Sequence, residues 1–324
     1  MKGVFLDSQT VKPEELNLDA LRTLLPDWTF HERSEPGQVP GRLAGASVVI
    51  TNKVALDRDT LAACADLKLI CICATGTNNV DLNTARERGI VVCNVAGYAT
   101  VTVAQHTLAL MLGLATRWHR YDRDVRAGRW SESAMFCRMD YPVMDLAGKT
   151  LGVIGYGDLG QRVAALARAF GMNVEVAASL RLNAGVQPER TPLAELLPRA
   201  QVISLHCPLT ERTEKLVNDD FLAAMKPGAF LVNTARGALV DEPALARALR
   251  AGHLGGAALD VLGQEPPPRD HPLLADDIPN LILTPHNAWI STECRQGLID
   301  RVVENIRAWR AGRPINVVNG IQGV

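Results

Sequence analysis

The stretch 150–171, TLGVIGYGDLGQRVAALARAFG, restricts the possible folds of this chain more than any other stretch. An apolar run at 151–154 predicts a strand, and Gly155, Gly157 and Gly160 follow it in the spacing G-x-G-x-x-G. Apolar residues at helical spacing come next and predict a helix. Glycines let this turn be tight and let the backbone approach a pyrophosphate, which the N–H groups of the helix N-terminus attract. The stretch therefore predicts a dinucleotide-binding unit; an ordinary glycine-rich turn is the alternative.

The strand predicted at 174–178 lacks the acidic residue that would bind the ribose of NAD. An Asp or Glu about 20 residues after the glycines accepts hydrogen bonds from the ribose 2′-hydroxyl, but this chain has Ala178 at that point. Glu175 lies on the other face of the strand, because side chains alternate. No carboxylate would then repel a 2′-phosphate, and Ser179 and Arg181 follow closely enough to contact one. We therefore expect NADP to be favoured over NAD; the alternative is that Arg181 is only a solvated loop residue.

Length and charge limit the function classes that suit this chain. The length of 324 residues predicts two domains, because single hydrophobic cores rarely grow so large. A net charge of −1 and the absence of a Lys/Arg cluster argue against nucleic-acid binding. The N-terminal residues do not resemble a signal peptide and no apolar run could span a membrane, so we expect a cytoplasmic protein with no membrane contact. The seven scattered cysteines, including Cys71 and Cys73, are expected to be core thiols, and no metal site is expected.

Predicted strands alternate with predicted helices through most of the chain, which indicates parallel, doubly wound α/β sheets. The first set of strands is short and apolar and lies at 4–6, 48–51, 69–73 and 90–93. The second set begins in the glycine-rich stretch and comprises 151–154, 174–178, 202–206, 230–233, 257–261 and 281–284. The segment 120–148 is polar and is expected to be irregular. Apolar residues from Leu298 to Trp309 predict a last helix, which we expect to return to the first unit.

Three charged or titratable residues follow predicted strands of the second set: Arg236, Glu265 and His286. The carboxyl ends of parallel strands are where such sheets bind ligands. A guanidinium can hold a carboxylate through two parallel hydrogen bonds, an imidazole can exchange a proton with a carbonyl oxygen, and a carboxylate can orient that imidazole. Each residue alone has an ordinary structural explanation. Together, after a nucleotide-binding stretch, they predict hydride transfer to a 2-oxo acid.

Seven motifs together resemble the D-isomer-specific 2-hydroxyacid dehydrogenase family, over nearly the whole chain. They are ATGTNNVDL at 74–82, GYATVTVAQHT at 97–107, GVIGYGDLG at 152–160, HCPLTERT at 206–213, NTARGALVDE at 233–242, ALDVLGQEPP at 258–267 and TPHNAW at 284–289. TNKV at 51–54 and the RWSESAMFC segment look most like the glycerate dehydrogenase (hydroxypyruvate reductase) branch. The resemblance implies reduction of hydroxypyruvate and glyoxylate. A D-lactate-type or other 2-hydroxyacid dehydrogenase is an alternative, as is a cofactor-sensing binding protein on the same scaffold.

The resemblance also implies roles for individual residues. Arg236 would bind the substrate carboxylate and carbonyl, His286 would be the acid/base and Glu265 its partner. Asp158 and Leu159 would contact the pyrophosphate through their backbone. The expected ribose and nicotinamide contacts are Cys207, Pro208, Thr213, Thr234, Ala235 and Asp260, the last at the carboxamide. The expected substrate contacts are Thr75 and Gly76, with Lys53 as a further contact or, alternatively, an ordinary surface lysine.

The architecture implied by the resemblance is an α/β chain of two doubly wound, parallel-sheet domains. A discontinuous, flavodoxin-like substrate domain would comprise 1–98 and 288–324, and a Rossmann cofactor domain would comprise 99–287. A helix that begins near Thr102 would be the dimer element, so we expect a homodimer. The two apolar faces of this helix are equally compatible with packing against its own chain.

Overall fold

The computed structural model describes residues 1–180, 189–278 and 280–321, so Arg181 lies outside the described residues. The chain divides into two compact units, one made of Met1–Ala99 with Trp289–Val324 and the other of Thr100–Ala288. Each unit is built around one parallel sheet. In the described part of the chain, no helix combines the length and the apolar character needed to cross a membrane.

The strands, in chain order, are β1 (Lys2–Phe5), β2 (Asp27–Phe30), β3 (Val48–Thr51), β4 (Leu69–Ile72), β5 (Val91–Cys93), β6 (Thr150–Ile154), β7 (Asn173–Val176), β8 (Val202–Leu205), β9 (Phe230–Asn233), β10 (Gly256–Leu259) and β11 (Leu281–Leu283). The α-helices are α1 (Asp19–Arg22), α2 (Val39–Arg42), α3 (Arg58–Ala63), α4 (Leu82–Glu87), α5 (Thr100–Thr116), α6 (Trp118–Arg126), α7 (Asp158–Ala169), α8 (Leu193–Leu196), α9 (Asp219–Ala224), α10 (Glu242–Arg250) and α11 (Thr292–Arg310).

The first unit contains a five-stranded parallel sheet in the order β2-β1-β3-β4-β5. This is the strand order of flavodoxin-like folds, as the resemblance implied. The strand β2 was not predicted, because it is a short edge strand with only half-buried side chains and no continuous apolar run. The C-terminal helix α11 belongs to this unit, and its apolar face shares a core with β1, β3 and β4. This unit is therefore discontinuous in the chain.

The core of the first unit contains the thiols of Cys71, Cys73 and Cys93. Burial raises the pKa of Cys71 and Cys73 well above its usual value and raises the pKa of Cys93 to about 12. All seven cysteines of the chain are free thiols. These three therefore behave as small apolar core residues.

The second unit contains a six-stranded parallel sheet in the order β11-β10-β9-β8-β6-β7. Its strands are the six that the apolar runs predict. Beyond β7, a single parallel bridge joins Ala177 to Thr191, and the N–H of Ala178 donates to the Thr191 carbonyl over 2.8 Å. If this bridge is counted as the third strand of the unit, the order becomes that of a Rossmann fold extended by one strand. The sequence did not reveal this strand, because a single bridging residue has no periodicity.

The helix α5 packs inside the second unit, against α7 and the sheet, through the buried residues Ala104, Leu108, Met111 and Leu114. The expectation of an irregular segment from residue 120 is wrong at its beginning, because α6 extends to Arg126. This helix has few apolar residues and so was not recognised. It is held by polar contacts instead: Arg126 pairs with Asp122, four residues earlier, and buried Asp124 accepts a hydrogen bond from Tyr141. Turns follow as far as β6.

Candidate active site

The glycine-rich turn joins β6 to α7 at the carboxyl edge of the second sheet. Gly155 has a φ of +94°, and a Cβ atom placed there would lie 2.4 Å from the backbone nitrogen of Cys207. Gly157 is the N-cap of α7, and a Cβ atom there would meet no heavy atom within 4 Å. The turn thus presses one glycine against the neighbouring strand end and leaves open space at the N-terminus of a twelve-residue helix. This cradle fits the diphosphate of a dinucleotide.

Near Ala178, at the end of β7, the charged side chains of Glu175 and Arg190 both have defined contacts. The carboxylate of Glu175 accepts hydrogen bonds from Arg199 over 2.8 Å and from the Thr191 hydroxyl over 3.2 Å. It is therefore engaged by the neighbouring chain segment. Arg190, next to Thr191, lies over the ring of Tyr156 at 5.8 Å from the ring centre, beside the glycine-rich turn.

No pattern in the sequence indicated a role for Arg190. Tyr156 is the residue between the first two glycines, and the bridge at Thr191 brings Arg190 to the same end of the sheet. Arg190 immediately precedes the bridging residue Thr191. A basic residue at the start of a strand could have indicated a phosphate contact, but the sequence pattern did not predict a strand at Thr191. Ser179 lies three residues after the end of β7 at Val176, whereas the expected contact through Arg181 falls outside the described residues.

The loops after β8 and β9 carry all the predicted ribose and nicotinamide contacts except Asp260, which follows β10. The hydroxyl of Thr213 donates to the Pro208 carbonyl over 2.8 Å and accepts the Thr210 N–H over 2.8 Å, so it fixes the turn after Cys207. Burial raises the pKa of Cys207 to about 11, which keeps this thiol protonated. After β9, the hydroxyls of Thr234 and Thr107 lie 3.0 Å apart, and the next residue, Ala235, is buried.

The imidazole of His286 and the carboxylate of Glu265 form a close pair. His286 Nδ1 lies 2.6 Å from Glu265 Oε2, and both side chains are partly exposed. The other carboxylate oxygen, Oε1, accepts the N–H of Leu262 over 2.9 Å. A carboxylate that faces Nδ1 orients the ring, favours a proton on that nitrogen and stabilises the charged imidazolium.

The backbone of His286 has an unusual conformation, with a φ of +51°. Left-handed conformations are unfavourable for residues other than glycine and need support from the surroundings. Asp260 supplies it: its carboxylate accepts the Thr284 hydroxyl over 2.6 Å and the N–H groups of Asn287 and Ala288, each over 3.0 Å. Its backbone carbonyl accepts the N–H of His286 over 2.8 Å. Asp260 thus holds the loop that carries the imidazole.

Two further residues of this network were not singled out from the sequence. His106 of α5 lies 3.1 Å from the Thr284 hydroxyl and 3.5 Å from Asp260 Oδ1. The sequence contained a signal, because His106 is part of the VAQHT motif and Thr284 begins TPHNAW. The expected contact of Asp260 with a carboxamide remains a prediction.

Arg236 follows β9, and its main chain is fixed by Asn233, whose side-chain amide donates to the Arg236 carbonyl over 2.8 Å. The next residue, Gly237, is so close to the loop after β10 that a Cβ atom would lie 1.9 Å from the carbonyl carbon of Leu262. The loop of Arg236 therefore packs directly on the loop that carries Glu265. Because β9, β10 and β11 are neighbours, the three predicted catalytic residues follow adjacent strand ends.

In the first unit, the predicted substrate contacts also follow strand ends. Thr75 comes after β4, and its hydroxyl donates to the Val95 carbonyl over 3.1 Å; Gly76 is the next residue. Lys53 comes after β3, and its backbone N–H donates to the carboxylate of Asp7 over 2.6 Å. Burial raises the pKa of Asp7, while the backbone hydrogen bonds it accepts act in the opposite direction.

Among the described residues, no cluster of His, Cys, Asp or Glu could hold a metal ion.

A parallel sheet with a dinucleotide-type glycine turn and a histidine–carboxylate pair at the same edge defines a nicotinamide-dependent oxidoreductase. Comparison with known proteins gives the family. Residues 108–288 match the family model described as D-isomer specific 2-hydroxyacid dehydrogenase, NAD binding domain. The chain belongs to this family, as its motifs predicted.

Named relatives and a solved structure agree with this assignment over almost the full chain. The chain is 44% identical to the glycerate dehydrogenase of Methylorubrum extorquens, covering 95% of this chain and 99% of that protein. It is 37% identical to the hydroxypyruvate reductase of Blautia hydrogenotrophica, covering 98% and 100%. A solved protein from Thermus thermophilus is 39% identical, with a TM-score of 0.88 and coverage of 98% and 100%. The two named relatives confirm the resemblance to the glycerate dehydrogenase branch.

Proposed function

We propose that this protein reduces hydroxypyruvate and glyoxylate to D-glycerate and glycolate, with NADPH preferred over NADH. The observation that carries the proposal is the contact of 2.6 Å between His286 and Glu265, on a loop next to that of Arg236. The names of two relatives, a glycerate dehydrogenase and a hydroxypyruvate reductase, support hydroxypyruvate as the substrate.

In the proposed reaction, each of the three residues has one task. The Arg236 guanidinium binds the substrate carboxylate through paired hydrogen bonds. His286, protonated and facing Glu265 through Nδ1, donates the Nε2 proton to the carbonyl oxygen as the C2–O double bond becomes single. A bound reduced nicotinamide supplies the hydride that adds to C2. Glu265 stabilises the imidazolium before the transfer, and the neutral ring regains a proton from water afterwards.

The residues proposed to hold the cofactor lie in the second unit. Gly155, Gly157, Asp158, Leu159 and Gly160 form the turn for the diphosphate, which the N-terminus of α7 attracts. The proposed ribose and nicotinamide contacts are Cys207, Pro208, Thr213, Thr234, Ala235 and Asp260.

The preference for NADPH is supported by the charges at the end of β7. Ala178 stands where a carboxylate would repel a 2′-phosphate, and Glu175 is engaged by Arg199. Ser179 and Arg190 then supply a hydroxyl and a cation near the ribose end of the turn. Thr75, Gly76 and Lys53 of the first unit are the further residues that we assign to the substrate.

The test is a comparison of kcat/KM for hydroxypyruvate, glyoxylate and pyruvate, each with NADPH and NADH. Hydroxypyruvate with NADPH should give the highest value. If pyruvate gave the highest kcat/KM, a D-lactate-type enzyme would be favoured. If the protein bound the cofactor without reducing any of the three acids, a cofactor-sensing binding protein would be favoured. His286→Ala should lower kcat by about 10²–10⁴-fold without weakening cofactor binding.

The cofactor preference has its own test, with NADH as the internal control. Arg190→Ala should raise the KM for NADPH and leave the KM for NADH unchanged. Ala178→Asp should shift the preference towards NADH, because a carboxylate there would repel the 2′-phosphate. Equal effects of Arg190→Ala on both cofactors would contradict the proposed phosphate contact.

We also propose that the protein is a cytoplasmic homodimer. Several apolar side chains between residues 118 and 143 are exposed, most of all Phe136 at 89% and Met139 at 77%. This surface, rather than α5, which packs inside its own unit, is the proposed contact between copies. Free thiols suit a reducing compartment. Sedimentation should show a dimer that Phe136→Glu dissociates, and a wild-type monomer would refute the assembly.

A further inference from the structure

A second histidine–carboxylate pair, formed by His271 and Glu242, contacts the loop that carries Glu265. His271 Nε2 lies 3.0 Å from Glu242 Oε2, and the two side chains are only 7% and 14% exposed. We propose that Glu242 and His271 are positioning residues, which hold the loop after β10 in the form that presents Glu265 to His286. The inference rests on the proposed function, in which His286 is the acid/base.

The contacts that link the two pairs run through two consecutive peptide groups. The N–H of Leu262 donates to Glu265 Oε1 over 2.9 Å, and the N–H of Gly263 donates to Glu242 Oε1 over 2.7 Å. The two carboxylates thus hold adjacent amides of one loop. A shift of Gly263 away from Glu242 would move Leu262, and with it the N–H group that holds Glu265 Oε1.

His271 completes the link because of its hydrogen-bonding pattern. The N–H of Leu273 donates to His271 Nδ1 over 3.3 Å, so Nδ1 is an acceptor and the neutral ring carries its proton on Nε2. This proton is then donated to Glu242. The carboxylate of Glu242 also lies in the first turn of α10, where the helix N-terminus stabilises negative charge. Each polar atom of the pair therefore has a defined partner.

The same loop also contacts Arg236. Gly237 packs against Leu262 and Gly263 so closely that any side chain at residue 237 would collide with their backbone. A loop held by Glu242 thus supports both the carboxylate that faces His286 and the segment that carries the guanidinium. Loosening this loop should lower kcat and raise the KM for the oxo acid, while the affinity for the cofactor should not change.

The test is a double-mutant cycle between Glu242 and Glu265. Glu242→Gln should lower kcat by about tenfold, which is the typical effect of removing a residue that orients another functional side chain. In the background of Glu265→Gln, the same substitution should change kcat less than twofold, because the side chain that it positions is already inactive. Additive losses in kcat would overturn the inference.

Control variants separate positioning from a general loss of structure. Asp219→Asn breaks an exposed ion pair with Arg247 between α9 and α10, and it should leave kcat unchanged. His271→Gln retains a donor at the place of Nε2 and should keep most of the activity that His271→Ala loses. Equal losses for these two His271 variants would contradict the proposed hydrogen-bond role.

A spectroscopic measurement tests the inference without turnover. The proton between His286 Nδ1 and Glu265 should give a strongly downfield NMR signal, because the contact is short. Glu242→Gln should shift or broaden this signal, and Asp219→Asn should not. An unchanged signal would overturn the inference even if the proposed reaction is correct. Failure of wild-type protein to reduce any 2-oxo acid, with a normal NMR response, would instead refute the proposed function.

Discussion

Alanine substitutions at Gly155 and Gly157 should separate the two tasks of the glycine-rich turn. At Gly155, the φ of +94° costs a residue with a side chain about 1–2 kcal/mol. The added Cβ would also lie 2.4 Å from the nitrogen of Cys207 and 2.5 Å from the carbonyl carbon of His206. These are backbone atoms at the end of β8, so relieving the overlap should cost a further 1–3 kcal/mol or so. Gly155→Ala should therefore lower the free energy of unfolding by about 2–5 kcal/mol.

Gly157 should respond in the opposite way. Its φ of −79° suits any residue, and no heavy atom lies within 4 Å of the added Cβ. Alanine gains about 0.4–1 kcal/mol from the smaller entropy of the unfolded chain, but it is a poorer N-cap residue than glycine, so the free energy of unfolding should change by less than about 1 kcal/mol. The new methyl group would, however, occupy the space where we propose the diphosphate. The affinity for NADPH should fall by at least about tenfold, equivalent to about 1.4 kcal/mol.

Urea unfolding followed by circular dichroism and fluorescence titration with NADPH measure the two effects. Gly252→Ala is a matched control, because Gly252 has a φ of +68° in the same unit but an added Cβ would meet nothing within 4 Å. Gly252→Ala should lower the free energy of unfolding only by the cost of the left-handed backbone conformation, about 1–2 kcal/mol. Equal destabilisation by Gly155→Ala and Gly252→Ala would refute the argument from close approach, and normal NADPH affinity of Gly157→Ala would refute the placement of the diphosphate.

Three further predictions concern polar side chains that are buried or partly buried. Asp260→Asn replaces one acceptor of a backbone N–H by a donor, so it should cost about 1–3 kcal/mol of stability and lower kcat; unchanged kcat would show that the His286 loop does not depend on Asp260. Burial lowers the pKa of His206 to about 4, so the unfolded chain takes up this proton at a higher pH than the fold does. The free energy of unfolding should thus fall from pH 6.5 to pH 4, by up to about 3 kcal/mol, and less steeply in His206→Gln; equal slopes would contradict this. Arg295 donates to the Val11 and Ile290 carbonyls, so Arg295→Met should cost about 2–4 kcal/mol in urea unfolding, and an exposed control, Arg301→Met, almost nothing.

The predictable parts of the fold were those that local patterns encode. The six strands of the second sheet are apolar runs followed by turn residues, and each predicted strand end lies within two residues of the observed one. The missed elements lack such a pattern. The strand β2 is half-buried, the strand at Thr191 is a single bridge, and α6 is held by polar side chains.

The candidate site was predicted as a set of residue types and not as a geometry. Arg236, Glu265 and His286 could be singled out because each follows a strand of one parallel sheet. The residues that support them could not, because their partners are far away in sequence. Glu242 meets Gly263 across 21 residues, and Asp260 meets the amide of Asn287 across 27.

The sequence by itself therefore determined the class of fold, the glycine-rich turn and the candidate site residues, because these depend on local periodicity and on residue type. Tertiary structure alone decided that His286 Nδ1 lies 2.6 Å from Glu265 Oε2, how His286 keeps a left-handed backbone and why Arg190 lies beside Tyr156. The physical reason is that hydrogen bonds and ion pairs act over a few ångströms. Only packing of the parallel strands brings such distant residues within that range.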